Sequence, residues 1–410
     1  MHGDLFGSWQ PAATVVIFAL TYAGVALGRL PFFRLDRAGI AFVGAVLMVA
    51  SGALTLRQAV AAIDFDTIAL LLGMMILAAA LRRAGFFERI TGAVLSRASG
   101  TDALLALTVA MAGLLSAVLV NDTVCVVLTP LVLEASRAGR KQPLPYLVAL
   151  ATASNVGSVA TITGNPQNMI IGSVSQISYR AFASALAPVA AIGLLLTMLL
   201  IALVWRREFF VRVHLHAEGP RGAVIMPLVG KTLIVLLGLI AALFAGVPPA
   251  EAAVVAGGVM LLTGGLKPRR FYAEIDWPLL LMFAGLFIVV AGLQAAFIGP
   301  RALAMVATWH LDRTAPLAIV VAVLSNIVSN VPAVLVLRPF IDPLADPQHA
   351  WLITAMAATL AGNFTLLGSV ANLIVVQGAA SAGIRVGFWE YFVIGAPLTV
   401  LTLLVGIWWL

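Results

Sequence analysis

Polar residues interrupt the long apolar runs of this chain at four places. Asn121-Asp122-Thr123 and Ser329-Asn330 come first in each half. Each is followed by a second break, Thr161-Ile162-Thr163-Gly164-Asn165-Pro166-Gln167-Asn168 and Asn363-Phe364-Thr365…Gly368-Ser369…Asn372. Such groups are rare at bilayer depth unless they line a site or a watery path. A helix that begins in mid-membrane presents unpaired N–H groups and the positive end of its dipole, which suits an anion. Asn, Asp, Ser and Thr cap such starts, so Asn121-Asp122-Thr123, Asn165-Pro166, Ser329-Asn330 and Gly368-Ser369 read as four helix starts. The substrate-binding candidates are therefore Asn121, Thr123, Asn165, Asn168, Ser329, Asn330, Ser369 and Asn372. Carbonyls freed before each break suit a cation, which makes Thr161, Thr163, Asn363 and Thr365 candidates for ion coupling.

Asp122 is the sharpest single candidate. A carboxylate at membrane depth is costly unless it is paired, protonated or facing water, so it reads as a proton or sodium site. Val331 holds the matching place in the second half, and the two tips are not chemically equivalent. One Gly-Asn-Pro alone would be a kink between packed helices; four polar breaks in matching positions point to a binding site. Asp64 and Asp276 each begin a third span and read as interfacial caps. His214 and His216 are poor evidence for a metal. No His-Glu-x-x-His, phosphate loop or Ser/His/Asp set suggests an enzyme. No cofactor is implied, and the only ion expected is H⁺ or Na⁺.

A membrane-spanning helical frame must hold these residues. The chain is 62% hydrophobic and 10% charged over 410 residues, against roughly 25% charged in a soluble domain. Runs such as 12–27, 186–204 and 279–296 approach or match the ~20 apolar residues that cross a bilayer. The class is an all-α polytopic membrane protein. No basic residue precedes Arg29, so the first apolar run is expected to remain as a span. Cys125 is the one cysteine, which excludes an intrachain disulfide and a cysteine metal cluster. The net charge of +7 sits in short loops and reads as a topology signal, not a nucleic-acid surface.

The spacing predicts two inverted-topology repeats, each with a re-entrant helical hairpin and a broken transmembrane helix. The first, 1–205, holds scaffold spans within 12–97, a hairpin over 102–136, a broken helix over 145–178 and a span over 184–205. A cytoplasmic connector, 206–228, leads to the second, 229–410. There the scaffold spans lie within 229–297, the hairpin over 314–341, the broken helix over 350–380 and the last span over 391–410. Gly73 matches Gly285, Asn121 matches Asn330, and Thr161, Gly164 and Asn168 match Thr365, Gly368 and Asn372. Loop by loop, 19 of the 24 Lys and Arg fall on one side. That side is expected to be cytoplasmic, with both termini on the outer face of the inner membrane. From Val124 to the first charge, Glu134, the chain covers about 15 Å of helix, so the hairpins are expected to reach only half depth.

The run Asn121-Asp122-Thr123-Val124-Cys125-Val126-Val127-Leu128-Thr129-Pro130, followed by Gly157–Asn168, resembles the ion transporter superfamily. That group includes arsenite-efflux permeases, sodium/proton antiporters of related fold and divalent anion/sodium symporters. The resemblance implies a homodimer with a scaffold part and a mobile transport part, the latter moving as an elevator. Dicarboxylate symporters of the group carry Ser-Asn-Thr at each hairpin tip, where this chain has Val120-Asn121-Asp122 and Ser329-Asn330-Val331. An ionised Asp122 would repel a dianion by several kcal/mol at an effective dielectric near 20. The Asn-Asp tip is similar instead to that of arsenite permeases, which handle a small, largely neutral hydroxylated metalloid.

The expected function is ion-coupled secondary transport of a small inorganic anion or its neutral acid, arsenite being one such cargo. A sodium/proton antiporter and a sodium-coupled dicarboxylate symporter are the rivals within transport, and a passive anion channel is the rival outside it. The expected partners are the cargo, the lipid bilayer and a second copy of the chain.

Overall fold

The computed structural model describes residues 10–28, 34–95, 101–139, 141–209, 225–262, 268–297 and 308–410. Most of the connector, with His214 and His216, lies outside the described residues, as do the loop residues Arg29, Arg97, Arg140, Lys267 and Arg301. Among the described residues all regular structure is helical.

The first half contains α1 (Gln10–Leu27), α2 (Arg37–Ala50), α3 (Leu56–Ala62), α4 (Phe65–Arg83) and α5 (Phe86–Leu95). After these come α6 (Thr101–Val118), α7 (Asn121–Ala138), α8 (Pro143–Ser158), a 3₁₀ turn Ile162–Gly164, α9 (Pro166–Ser175), α10 (Tyr179–Val204) and α11 (Arg206–Phe209). The second half contains α12 (Met226–Phe244), α13 (Pro249–Leu262), α14 (Pro268–Tyr272) and α15 (Trp277–Phe297). It ends with α16 (Thr314–Val328), α17 (Asn330–Ile341), α18 (Pro347–Ala361), α19 (Val370–Ser381) and α20 (Phe388–Trp409). Of these, α4, α6, α10, α12, α15 and α20 are long and apolar enough to cross a bilayer. Their outward faces carry exposed Leu195, Ile234, Leu281 and Leu404, as lipid-facing helices do.

Local chemistry sets the starts. Asp36 accepts from the Gly39 N–H, Ser178 from Ala181 and Asp346 from His349, each satisfying a donor the first turn leaves free. Asp64 and Asp276 cap as well, accepting from Thr67 and Leu279 at 3.0 Å. The Asp64 carboxylate also accepts from Ser173 Oγ at 2.9 Å, tying the end of α9 to the start of α4. The short helices α3 and α5 interrupt the loops of the first half, a detail the apolar pattern does not show. The hairpin helix α7 runs 18 residues, about 27 Å. It exceeds the expected half-depth arm because it continues through Glu134 and Arg137. In the second hairpin, α16 and α17 have 15 and 12 residues.

The frame is built from reciprocal pairs. Helix α4 packs on α13, and α15 packs on α2. A Cβ on Gly73 would lie 2.3 Å from the Ala253 carbonyl oxygen, and one on Gly285 would lie 2.7 Å from that of Ala41. Gly73 and Gly285 stand 212 positions apart, as do Ala41 and Ala253. In each crossing a glycine of one half thus lies against an alanine carbonyl of the other half. The last long helices of the two halves also pack together. Trp409 Nε1, at the end of α20, donates to the Ala185 carbonyl near the start of α10 at 2.9 Å. The end of α20 is thus held against the start of α10.

Candidate functional site

The two hairpin turns and the two helix breaks meet at one small cavity of about 60 Å³. Asn121, Asp122, Gln167, Ser329, Asn330 and Ser369 form its polar wall. Arg37 reaches it from α2, and Leu279, Met282 and Phe283 of α15 close the apolar side. Asp122 and Leu279 also line a second cavity of about 190 Å³ with Arg82, Thr123, Glu274 and Asp276. Glu274 pairs there with Arg82 at 3.0 Å. A third cavity, about 420 Å³, lies between the end of α9 and the start of α13 and contains none of the predicted site residues.

The breaks are braced by amides. In the first, Asn165 caps α9 by accepting from the Asn168 N–H, with Pro166 in the first turn. Asn168 Nδ2 donates to the carbonyls of Ser158 at 3.0 Å and Thr161 at 2.9 Å. In the second, Ser369 caps α19, and Asn372 Nδ2 donates to the carbonyls of Gly362 at 2.9 Å and Thr365 at 3.2 Å. Each amide closes the same two carbonyls, ten and seven residues earlier in the chain, which a broken helix leaves free.

The braces then cross between halves. Asn155 Nδ2 donates to Asn363 Oδ1 at 2.8 Å and Asn372 Oδ1 at 3.1 Å. Its Oδ1 accepts from Asn121 Nδ2 and Ser369 Oγ, both at 3.0 Å. Thr359 does the converse in the first break, accepting from Asn165 Nδ2 at 3.2 Å and Gln167 Nε2 at 3.1 Å. Asn155 and Thr359 are 204 positions apart, the offset that also separates Asn168 from Asn372.

The predicted residues therefore separate by position. Asn121, Asp122, Ser329, Asn330 and Ser369 share the central cavity, and Thr123 lies in the second one. Asn165, Asn168, Asn363 and Asn372 are fully buried behind it and bonded to protein. Thr161 donates to the Ala117 carbonyl, Thr163 bonds the Tyr179 hydroxyl at 3.0 Å, and Thr365 contributes its carbonyl to Asn372. Two expected caps are corrected. The residue before α7 is Val120, with no side-chain cap, so Asn121 already belongs to the first turn. Ser329 precedes α17 without a side-chain cap bond and takes φ +78°, ψ +158°. Asn121 turns its amide to the network, and Asn121 and Asn330 both line the cavity instead of capping a helix start. Sequence reasoning passed over Asn155, Thr359 and Arg37 and did not count Gln167 among the site residues. The constant 204-residue offset was the signal for the first two; Arg37 looked like any loop cation.

Buried acceptors remain open at this site. Asn121 is 4% exposed and Asn330 9%, and the Oδ1 of each has no hydrogen-bond partner. A buried unpaired amide oxygen is destabilising by roughly 1–3 kcal/mol, and both atoms are acceptors open to a donor in the cavity.

Comparison with known proteins agrees with this architecture. The profile of the CitMHS family, described as citrate transporter, matches residues 16–361. The silicon efflux transporter LSI3 of Oryza sativa subsp. japonica is 27% identical, covering 96% of each chain. A Dictyostelium discoideum protein bearing the transporter name arsB is 24% identical over 98% of this chain and 93% of its own. Among solved structures, the Alcanivorax borkumensis YdaH transporter superposes with a TM-score of 0.60 at 16% identity, covering 97% of this chain and 96% of that one. That likeness is one of fold. The chain belongs to the CitMHS citrate transporter family and is a multi-pass membrane secondary transporter of the arsB-like kind.

Proposed function

We propose that the protein is an ion-coupled carrier for a small inorganic oxyacid, arsenite-like, bound between the two hairpin turns and the two helix breaks. The observation that carries this reading is the convergence of Asn121, Asp122, Gln167, Asn330 and Ser369, from both halves, on one cavity of about 60 Å³. A volume of that size suits a ligand of a few heavy atoms. Citrate, with three carboxylates, is disfavoured by the cavity and by the carboxylate of Asp122. The names of the silicon efflux and arsB relatives point the same way. Asp122 couples transport to H⁺ or Na⁺ and exchanges that ion through the larger cavity beside Arg82, Glu274 and Asp276.

The hairpins and broken helices form the moving part and travel as an elevator against a scaffold of α1–α4 and α12–α15, in a homodimer. The repeats are inverted across the inner membrane, with both termini outside. Glycine-mediated crossings of α4 on α13 and α15 on α2 support a rigid scaffold.

Reconstituted vesicles test the reading. Arsenite flux driven by an H⁺ or Na⁺ gradient is expected in the native protein, and Asp122→Asn should abolish the dependence on that gradient. Unchanged coupled flux in the variant removes Asp122 from the mechanism. A second reading, sodium/proton antiport, is favoured by the opening of Asp122 onto the acidic cavity. Sodium-driven proton movement with no oxyacid present would select it.

A further inference from the structure

Two aspartates at matching positions are used differently. Asp64 and Asp276 stand 212 positions apart, and each caps its helix by accepting from the residue three further on, Thr67 and Leu279, at 3.0 Å. The Asp64 carboxylate is also bound from α9, where Ser173 Oγ lies 3.0 and 2.9 Å from its two oxygens. Asp276 has no such partner among the described residues and faces the cavity of about 190 Å³ instead. At the 204-residue offset of the broken helices, the match of Ser173 is Gln377 of α19. Gln377 lies three residues beyond Ile374 and seven beyond Val370, which both line that cavity, so a helix puts all three on one face. It is exposed, and its amide can donate to a carboxylate as the serine hydroxyl does.

The packing is one-sided in the same sense. In the first half the broken helix α9 packs on α4, and in the second the hairpin helix α17 packs on α15. Tyr22 Oη of α1 donates to the Pro332 carbonyl of α17 at 3.4 Å, whereas Thr123, 209 positions before Pro332, lines the cavity. The cavity has residues of α4 and α15 on one side and of α7 and α19 on the other. Helices α7 and α19 pack on each other. Sliding that pair onto α4 and α15 closes the cavity and exchanges one set of contacts for the other.

We propose that Asp276 and Gln377 are the positioning pair of a second resting state, in which the cavity is closed, Gln377 donates to Asp276 and Ser173 has left Asp64. One charge-assisted bond is then lost and one gained. Such an exchange keeps two end states within reach of each other, as a cycling carrier requires.

This inference rests on the carrier reading, with hairpins and broken helices as the moving part, and the experiment separates the two. In a Cys125→Ser background, Asp64→Cys with Ser173→Cys and Asp276→Cys with Gln377→Cys are made as two proteins and treated in vesicles with a short bis-thiosulfonate linker. Both pairs are expected to link. Each link should lower arsenite flux at least about tenfold, with a reductant restoring it. Adding Ser173→Ala to the second pair removes the bond of the present state and should speed linking about tenfold. Ser173→Thr keeps the hydroxyl and should return the slower rate. Met75→Cys with Val126→Cys, which face each other across the cavity, leaves both caps intact and should show the same acceleration by Ser173→Ala. Failure of the second pair to link while the first does, or links that leave flux unchanged, overturns the inference and leaves the carrier reading standing. Linking rates indifferent to Ser173→Ala in both cavity pairs overturn it too. Native vesicles that move neither arsenite nor Na⁺ overturn the carrier reading itself.

Discussion

Ser329 holds a backbone conformation, φ +78° and ψ +158°, that glycine adopts freely and other residues essentially avoid. Such strain is destabilising by about 1–3 kcal/mol and persists only where the surroundings enforce it. It sits at the second hairpin turn, on the cavity wall, with no counterpart at Val120 in the first turn. Ser329→Gly is therefore expected to raise the thermal midpoint of the purified protein, by a stability gain of about 1 kcal/mol. An unchanged or lower midpoint would show that no strain is stored there. Asn155 predicts the opposite sign. Its removal strands Asn121, Ser369, Asn363 and Asn372, all buried. Asn155→Ala should cost about 3 kcal/mol or more, since each unpaired buried group costs about 1–3 kcal/mol. Part of this arrangement was legible: four of the eight substrate candidates, Asn121, Ser329, Asn330 and Ser369, line the central cavity, because polar side chains in apolar runs have few other reasons to exist. What was not legible is which polar residue faces the ligand and which braces a break. Asn168 and Asn121 look alike in sequence, and only the direction of their hydrogen bonds tells them apart.

At the scale of elements, glycines decide how closely the hairpin and the broken helix can approach. A Cβ on Gly157 of α8 would meet the Gly113 carbonyl oxygen at 2.2 Å, backbone that cannot yield. A Cβ on Gly113 of α6 would meet only the Leu194 methyls, at 2.6 Å, and a side chain can rotate away. Gly157→Ala is accordingly expected to destabilise by about 1–3 kcal/mol, and Gly113→Ala by clearly less. Equal effects in a thermal unfolding comparison would mean that α6 and α8 separate easily. The breaks themselves were visible in the sequence because Asn-Pro and Gly-Ser specify a new helix start. The reciprocal Gly73–Ala253 and Gly285–Ala41 crossings were only half visible. The matched glycines could be aligned, but nothing in their spacing named the partner helix from the other half.

For the whole molecule, the decisive question is whether the halves traverse the bilayer in opposite senses. The end of α20 bonds the start of α10, and in the first half the α7 residue Arg137 donates to the Ala382 carbonyl just past α19. The end of α9 is held instead by Asp64, at the start of α4. Gln176, just past α9, and Ala382, just past α19, are matching exits from the two broken helices. Inverted halves place them on opposite membrane faces; parallel halves place them on the same face. The single native thiol, Cys125, is buried and donates to Ser154 Oγ, so Cys125→Ser keeps that contact and supplies a thiol-free background. Gln176→Cys in intact cells is then expected to react with an impermeant maleimide added outside, while Ala382→Cys reacts only after the membrane is opened. Both reacting from one side would leave Asn155 and Thr359 without a symmetric reason to cross between halves, and the elevator reading with inverted repeats would lose its geometric basis.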